Sequence, residues 1–163
     1  MNKVYGNKKE FTPIRSDRSR LIVSYNLQPL EDGIHATWCE IYFYKKPHPY
    51  VSAEEIKLAI LEDIDNEVKR VIIEDFVWNS HKVWLSIENQ NNYSNALDVA
   101  INTEGANLPY KVRFGTIEEP DYYTFTTVES LKAFWLACSK YITDSIKSGW
   151  ALKDSINWKD YEV

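Results

Sequence analysis

Two hydrophobic periods alternate along this chain. Over Arg20 to Asn26, with Leu21-Ile22-Val23 at its centre, and over His35 to Tyr44, apolar, aromatic and β-branched residues crowd into short runs. Such runs predict strands. Glu31-Asp32-Gly33 between them is a turn signal, so the two runs form an antiparallel hairpin, ended by Pro47 and Pro49. From residue 52 the period lengthens. Ile56, Ile60, Leu61, Ile64 and Val68 recur at helical spacing, which predicts a helix from about Ala53 into the low seventies. Ser52-Ala53-Glu54-Glu55 is a capping box, and Val51 and Ile56 stand at staple positions.

The second half continues the alternation. Phe76-Val77-Trp78 and Lys82-Val83-Trp84-Leu85 flank Asn79-Ser80-His81 and predict a hairpin. Ser86 caps the next helix, whose inner face uses Tyr93, Leu97, Ala100 and Ile101 and which Gly105 ends. Two strands follow, Tyr110 to Gly115 and Tyr122 to Phe125, joined across Glu118-Glu119-Pro120-Asp121. Thr126 and Glu129 make a second capping box. Leu131, Phe134, Trp135, Cys138, Ile142 and Ile146 then form one apolar stripe. Gly149 breaks that helix, and residues 150–156 add a short helical turn. Trp84 and Trp135 are expected in the core. The pattern predicts an α+β fold, with small antiparallel sheets packed against about three helices. An extended arm occupies residues 1–18 and a single domain residues 19–163.

At 163 residues the chain can bury a sizeable core without disulfides or metal. Hydrophobic residues make up 44% and charged residues 26%, which excludes a disordered chain. The 11 Tyr and 6 Trp read first as core residues and second as an aromatic contact surface, since these residue types serve interfaces as well as cores. Cys39 and Cys138 each lie in an apolar pattern and read as buried free thiols. Met1-Asn2-Lys3-Val4 has no apolar stretch behind it, so no secretory signal is expected. No apolar run approaches a membrane span. Folding in a reducing cytoplasm is the expectation. The net charge is −5 but unevenly spread. Lys3, Lys8, Lys9, Arg15, Arg18 and Arg20 stand against only Glu10 and Asp17 in the first twenty residues. A basic arm beside an acidic body reads as a solvated tail or as an arm that lies on something negative, nucleic acid or, better, an acidic protein surface such as a neighbouring copy's. The acidic body argues against a nucleic-acid face.

Motifs for chemistry are missing. There is no phosphate-binding loop, dinucleotide fingerprint or HExxH, and the two cysteines have no zinc-ligand spacing. His35, His48 and His81 fall on a strand, a Pro-rich turn and a hairpin tip, where a solvated side chain is the ordinary outcome. Glu118, Glu119 and Asp121 surround Pro120 and could in principle serve acid–base work or hold a hard cation, but Asp and Pro are turn formers. Glu67-Val68-Lys69 has the spacing of a nuclease E-x-K element, yet lies mid-helix rather than on a strand. Asn89-Gln90-Asn91-Asn92 are weak helix formers; they read as a polar helix face, as bonds to a neighbouring loop, or as a patch for sugar or protein. No catalytic residue, metal ligand or cofactor is predicted, and the chain reads as a non-enzyme.

Three stretches resemble an uncharacterised structural domain of phage and prophage tail-fibre-like proteins from gut bacteria, including crAss-like phages. The first runs from Ser52-Ala53-Glu54-Glu55-Ile56-Lys57 through Ile64-Asp65. The second is Phe76-Val77-Trp78 with Val83-Trp84-Leu85-Ser86-Ile87-Glu88-Asn89-Gln90-Asn91-Asn92-Tyr93. The third joins Leu108-Pro109-Tyr110-Lys111-Val112-Arg113-Phe114-Gly115, Phe125-Thr126-Thr127 and Gly149-Trp150-Ala151-Leu152-Lys153-Asp154-Ser155-Ile156-Asn157-Trp158. The resemblance covers roughly residues 20–160. It implies a virion structural or adaptor protein (fibre, collar or tail-attachment component), made in the host bacterial cytoplasm and acting on other virion proteins and on copies of itself. No membrane partner is expected. The alternative is a carbohydrate- or receptor-binding module for host recognition, with a surface glycan as partner. The candidate partner contacts are Lys8, Lys9, Arg15, Arg18, Arg20, Trp38, Tyr42 and Tyr44.

Overall fold

The computed structural model describes residues 1–44, 51–116 and 118–162. Pro47, His48 and Pro49 lie outside the described residues. The fold is α+β: the described residues form three small antiparallel sheets and three α-helices. Where the hydrophobic pattern suggests one domain over 19–163, the chain divides into two compact units, residues 1–67 with 149–163, and residues 68–148.

The first unit holds the four-stranded sheet. Its strands are β1 (Asn2–Asn7), β2 (Ile14–Asp17), β3 (Arg20–Pro29) and β4 (His35–Tyr44), in the order β1-β4-β3-β2 and all antiparallel. The predicted hairpin is its centre. The first eighteen residues are extended, but they are not an arm apart from the domain. Residues 2–7 pair with β4 and residues 14–17 with β3, so this segment supplies both edges of the sheet. Polar, basic edge strands are what a sheet needs to avoid pairing with strangers, and that polarity conceals them in the sequence. The β3–β4 turn is fixed by Asp32, whose Oδ1 accepts the Ile34 and His35 N–H groups at 2.9 and 2.8 Å and whose Oδ2 meets His35 Nδ1 at 2.6 Å. These bonds, from the His35 backbone first, hold the Asp32 carboxyl down at about 2.

Helix α1 (Ala53–Glu74) starts at the predicted capping box. Ser52 Oγ accepts the Glu55 N–H at 3.2 Å and the Glu55 carboxylate accepts the Ser52 N–H at 3.0 Å. Val51, Ile56, Ile60 and Ile64 are buried, with Leu21, Val23, Tyr25 and Cys39 of the sheet. Tyr25 donates its hydroxyl to Asp63 at 2.7 Å. At the other end of the chain, Tyr161 donates to the Ser24 carbonyl at 2.9 Å.

The second unit contains β5 (Val77–Trp78), β6 (His81–Lys82), α2 (Ile87–Asn102), β7 (Tyr110–Gly115) and β8 (Pro120–Phe125), with most of α3 (Val128–Asp154). Asn79 and Ser80 join β5 to β6, with φ of 46° and 70°. Positive φ at both central residues is the primed hairpin turn, whose twist matches the strands. Ser86 Oγ caps α2 on the Asn89 N–H. The core gathers around Phe134, with the rings of Tyr93, Phe114, Phe125 and Trp78 at 5.0 to 5.6 Å.

Five expectations shift here. Ile101 is 51% exposed and Ala96 is buried in its place, because Tyr93, Ala96, Leu97 and Ala100 already complete the helical stripe. Glu104 takes the left-handed position after α2, at φ 52°, while the Gly105 N–H reaches back to the Ala100 carbonyl at 2.8 Å. The cap of α3 is one residue later than Thr126: Thr127 Oγ1 accepts the Ser130 N–H at 3.1 Å, and Ser130 stands where Glu129 was expected. Gly149 does not end α3, which runs on to Asp154. An internal glycine costs a helix only about 1 kcal/mol relative to Ala, and Gly149 is buried, where packing outweighs that cost. Trp135 is half-buried against the core, but Trp84 is 48% exposed. Val83 and Leu85 are fully buried on either side of it, and strand alternation sends the residue between them outward.

Candidate functional site

The predicted contact residues divide along the sheet of the first unit. Side chains of β4 alternate, which puts Trp38, Glu40, Tyr42 and Tyr44 on one face. The register sets Ser24 opposite Glu40, Ile22 opposite Tyr42 and Arg20 opposite Tyr44; Arg15 of β2 lies opposite Ile22, and Asn2 of β1 opposite Glu40. The fold therefore brings Arg15, Arg20, Trp38, Tyr42 and Tyr44 onto one surface.

Glu40 organises that surface. It is only 4% exposed. Its Oε1 accepts from Trp38 Nε1 at 2.9 Å and from Arg15 Nη2 at 2.8 Å, and its Oε2 accepts from the Tyr42 hydroxyl at 2.7 Å. Asn2 Nδ2 donates to the Tyr42 oxygen at 3.0 Å, and Arg15 Nη1 to Ser24 Oγ at 3.2 Å. Burial by itself raises the Glu40 carboxyl. The hydrogen bonds from Trp38, Tyr42 and Arg15, with the Arg15 charge, outweigh it and hold the pKa below the usual value. A buried carboxylate satisfied on both oxygens orients the groups that bind it. Trp38 is consequently buried rather than available as a contact. Gly6 of β1 allows its approach, since a Cβ there would stand 2.7 Å from the Trp38 ring.

The outer part of the face is open. Arg20 lies over the Tyr42 ring, 4.8 Å from its centroid, and bonds Asp17 at 3.0 Å. The Tyr44 ring is 6.2 Å from that of Tyr42 and is 65% exposed. Arg18 is exposed at the β2–β3 turn, with φ 33°. Lys8 and Lys9 are exposed in a 3-10 turn following β1, outside the aromatic surface. The first twenty residues thus spend part of their positive charge within the unit, through Arg15–Glu40 and Arg20–Asp17.

A second concave feature lies in the second unit. A groove of about 560 Å³ runs beside Trp84, with Lys82, Asn89, Arg113 and the carboxylates of Glu74 and Glu118 around it. The carboxamide run explains part of its shape. Asn89 Nδ2 donates to the Trp84 carbonyl and Gln90 Nε2 to the Leu85 carbonyl, both at 2.8 Å, so these residues brace the corner where β6 passes into α2.

Two of the three histidines, and Asp121, make contacts within the fold. His81 Nδ1 pairs with Asp121 and its ring packs 5.2 Å from Tyr123 and 5.9 Å from Phe114; it ties the β5–β6 hairpin to β8. His35 is bound by Asp32 and stacks on Tyr5 at 5.2 Å. Glu118 and Glu119 sit in the β7–β8 turn, where the Thr116 N–H bonds the Glu119 carbonyl at 3.1 Å. Among the described residues no group of three or more His, Cys, Asp or Glu could hold a metal ion. Cys39 and Cys138 are free and buried. Burial pushes the Cys39 thiol up and the Cys138 thiol up to about 12. No described helix is long and apolar enough to cross a membrane.

Sequence reasoning overlooked Glu40, Ser24 and Asn2 on the sheet, and Lys82 and Arg113 at the groove. A signal for Glu40 was present: Trp38-x-Glu40-x-Tyr42 places a carboxylate between two aromatic hydrogen-bond donors on one strand face. Comparison with protein-family models, with curated proteins and with solved structures returned no match.

Proposed function

We propose that this chain is a structural or adaptor component of a phage virion, such as a fibre, collar or tail-attachment protein, that works by protein–protein assembly and without catalysis. The phage context rests on the resemblance of residues 20–160 to tail-fibre-like domains. The observation that carries the assembly reading is the Arg20–Tyr42–Tyr44 surface: an exposed Tyr44, a half-buried Tyr42 bound by the buried Glu40, and Arg20 over the Tyr42 ring, in register on a sheet. Tyr and Arg are the residue types enriched in protein interfaces, and a pre-organised surface loses little entropy on binding. Other virion proteins and further copies of this chain are the partners.

The test is the pair Tyr44→Ser and Arg20→Glu, made together in the full chain. The expected result is an unchanged circular dichroism spectrum with failed incorporation into particles and loss of any self-association seen by light scattering. Normal particles containing the doubly substituted protein would overturn the proposal.

A second reading has its own observation. The groove beside Trp84 has the size and mixed lining of a ligand site, which favours a carbohydrate- or receptor-binding role.

A further inference from the structure

The groove's most exposed large apolar side chain is Trp84, on a segment whose chain neighbours are buried. Val83 and Leu85 are buried to either side. The Val83 N–H bonds the Phe76 carbonyl at 2.9 Å and the Leu85 N–H bonds the Ile73 carbonyl at 3.0 Å. The carbonyl of Trp84 itself is held by Asn89 at 2.8 Å. The backbone that carries the indole is therefore held on both sides, and the ring is half-exposed beside the groove. Across the groove β7 repeats the alternation, with Val112 and Phe114 buried and Arg113 between them facing outward. Gly115, at φ 78°, turns the chain there; a Cβ on it would stand 2.4 Å from the Glu119 carbonyl.

The polar lining is balanced. Two cations, Lys82 and Arg113, and two carboxylates, Glu74 and Glu118, line it with the carboxamide of Asn89; Glu74 is also paired with Arg70 at 3.4 Å. A strongly charged ligand would meet repulsion from one pair as it met attraction from the other. A neutral polyhydroxy ligand meets none: each hydroxyl can donate to a carboxylate and accept from a cation or amide. The apolar C–H face of a pyranose ring matches the flat face of an indole, while its hydroxyls point to the rim. The volume, about 560 Å³, lies inside the roughly 300–1,000 Å³ range of small-molecule sites and accommodates a short oligosaccharide.

We propose that this groove binds a neutral saccharide, with Trp84 as the stacking platform and Lys82, Arg113, Glu74 and Glu118 as the hydroxyl-binding rim. The proposal rests on the carbohydrate-binding reading above and gives it a site and a ligand class. It is independent of the sheet surface of the first unit.

The experiment uses the full chain and a panel of neutral oligosaccharides built from glucose, galactose, mannose and N-acetylglucosamine, with sulfated and uronic-acid-containing oligosaccharides and an unstructured peptide library alongside. Binding is read by ligand-observed NMR and by quenching of tryptophan fluorescence. At least one neutral oligosaccharide is expected to bind. Trp84→Ala should weaken it at least tenfold, Glu118→Gln less so, both with an unchanged circular dichroism spectrum. Tyr44→Ser with Arg20→Glu should leave it intact, which separates failure here from failure of the assembly surface. Binding confined to acidic saccharides or to peptides, binding indifferent to Trp84→Ala, or no saccharide binding at all would overturn the proposal.

Discussion

Arg15 donates to Glu40 across the sheet at 2.8 Å, linking two residues 25 positions apart. This contact joins β2 to a carboxylate on β4, with Ser24 of β3 bound by the same guanidinium at 3.2 Å. It makes the basic N-terminal segment part of the fold and leaves Tyr44 exposed at the edge of that face.

Deleting residues 1–17 should unfold the first unit. The deletion removes two of four strands and the Arg15 partner of a buried carboxylate. The expected loss is comparable with a domain's whole stability of roughly 5–15 kcal/mol. Thermal melting followed by circular dichroism checks this; a cooperative melt near the full-length midpoint would contradict it.

Acid should weaken the protein partly through Glu40. Its folded pKa lies below the ordinary 4.5, so the unfolded chain binds the proton first as pH falls. The stabilisation is complete above pH 4.5 and disappears as pH drops below it, through the lower folded value. Denaturant midpoints at neutral pH and in steps below 4.5 should show a steeper decline for the wild type than for Glu40→Gln. Parallel declines would remove Glu40 from the account.

Trp84 and Phe134 should differ sharply in stability. Phe134→Ala empties the centre of a ring cluster and should cost about 3–5 kcal/mol. Trp84→Ala alters a half-exposed side chain and should stay within about 1 kcal/mol, near the range of surface substitutions. Chemical denaturation of both variants decides it.

Gly115→Ala should destabilise by about 1–3 kcal/mol, the usual cost of a residue held in a sparsely populated backbone region. The new methyl would be forced against the Glu119 carbonyl and the Asp121 N–H. A melting temperature equal to wild type would show that the β7–β8 turn can rearrange.

Both thiols should resist labelling in the native state. Cys138 is buried with its pKa pushed up to about 12, and Cys39 is buried with its pKa raised. The thiolate is the reactive form. A thiol-reactive chromophore should read near zero at neutral pH and two equivalents in denaturant; rapid native labelling would place a thiol at the surface.

Local pattern by itself determined the α+β class, the ranges of β4 and α1, the capping of α1 by Ser52 and Glu55, and the Phe134–Cys138 stripe of α3. These features depend on neighbours within a turn or two, where period and capping chemistry are written in the residues. Local pattern also put Arg20, Tyr42 and Tyr44 among the candidate contacts, because aromatics and arginines stand out by type. Only tertiary structure decided that residues 2–7 and 14–17 are edge strands, since edge pairing is with distant residues and favours the polar composition of a tail. It alone buried Trp38 and exposed Trp84: burial of a tryptophan depends on what packs over it, here Gly6 and Phe11 against the Trp38 ring. It alone brought Asn2, Arg15, Ser24 and Glu40 together, since sheet register, not sequence spacing, sets which side chains meet across strands.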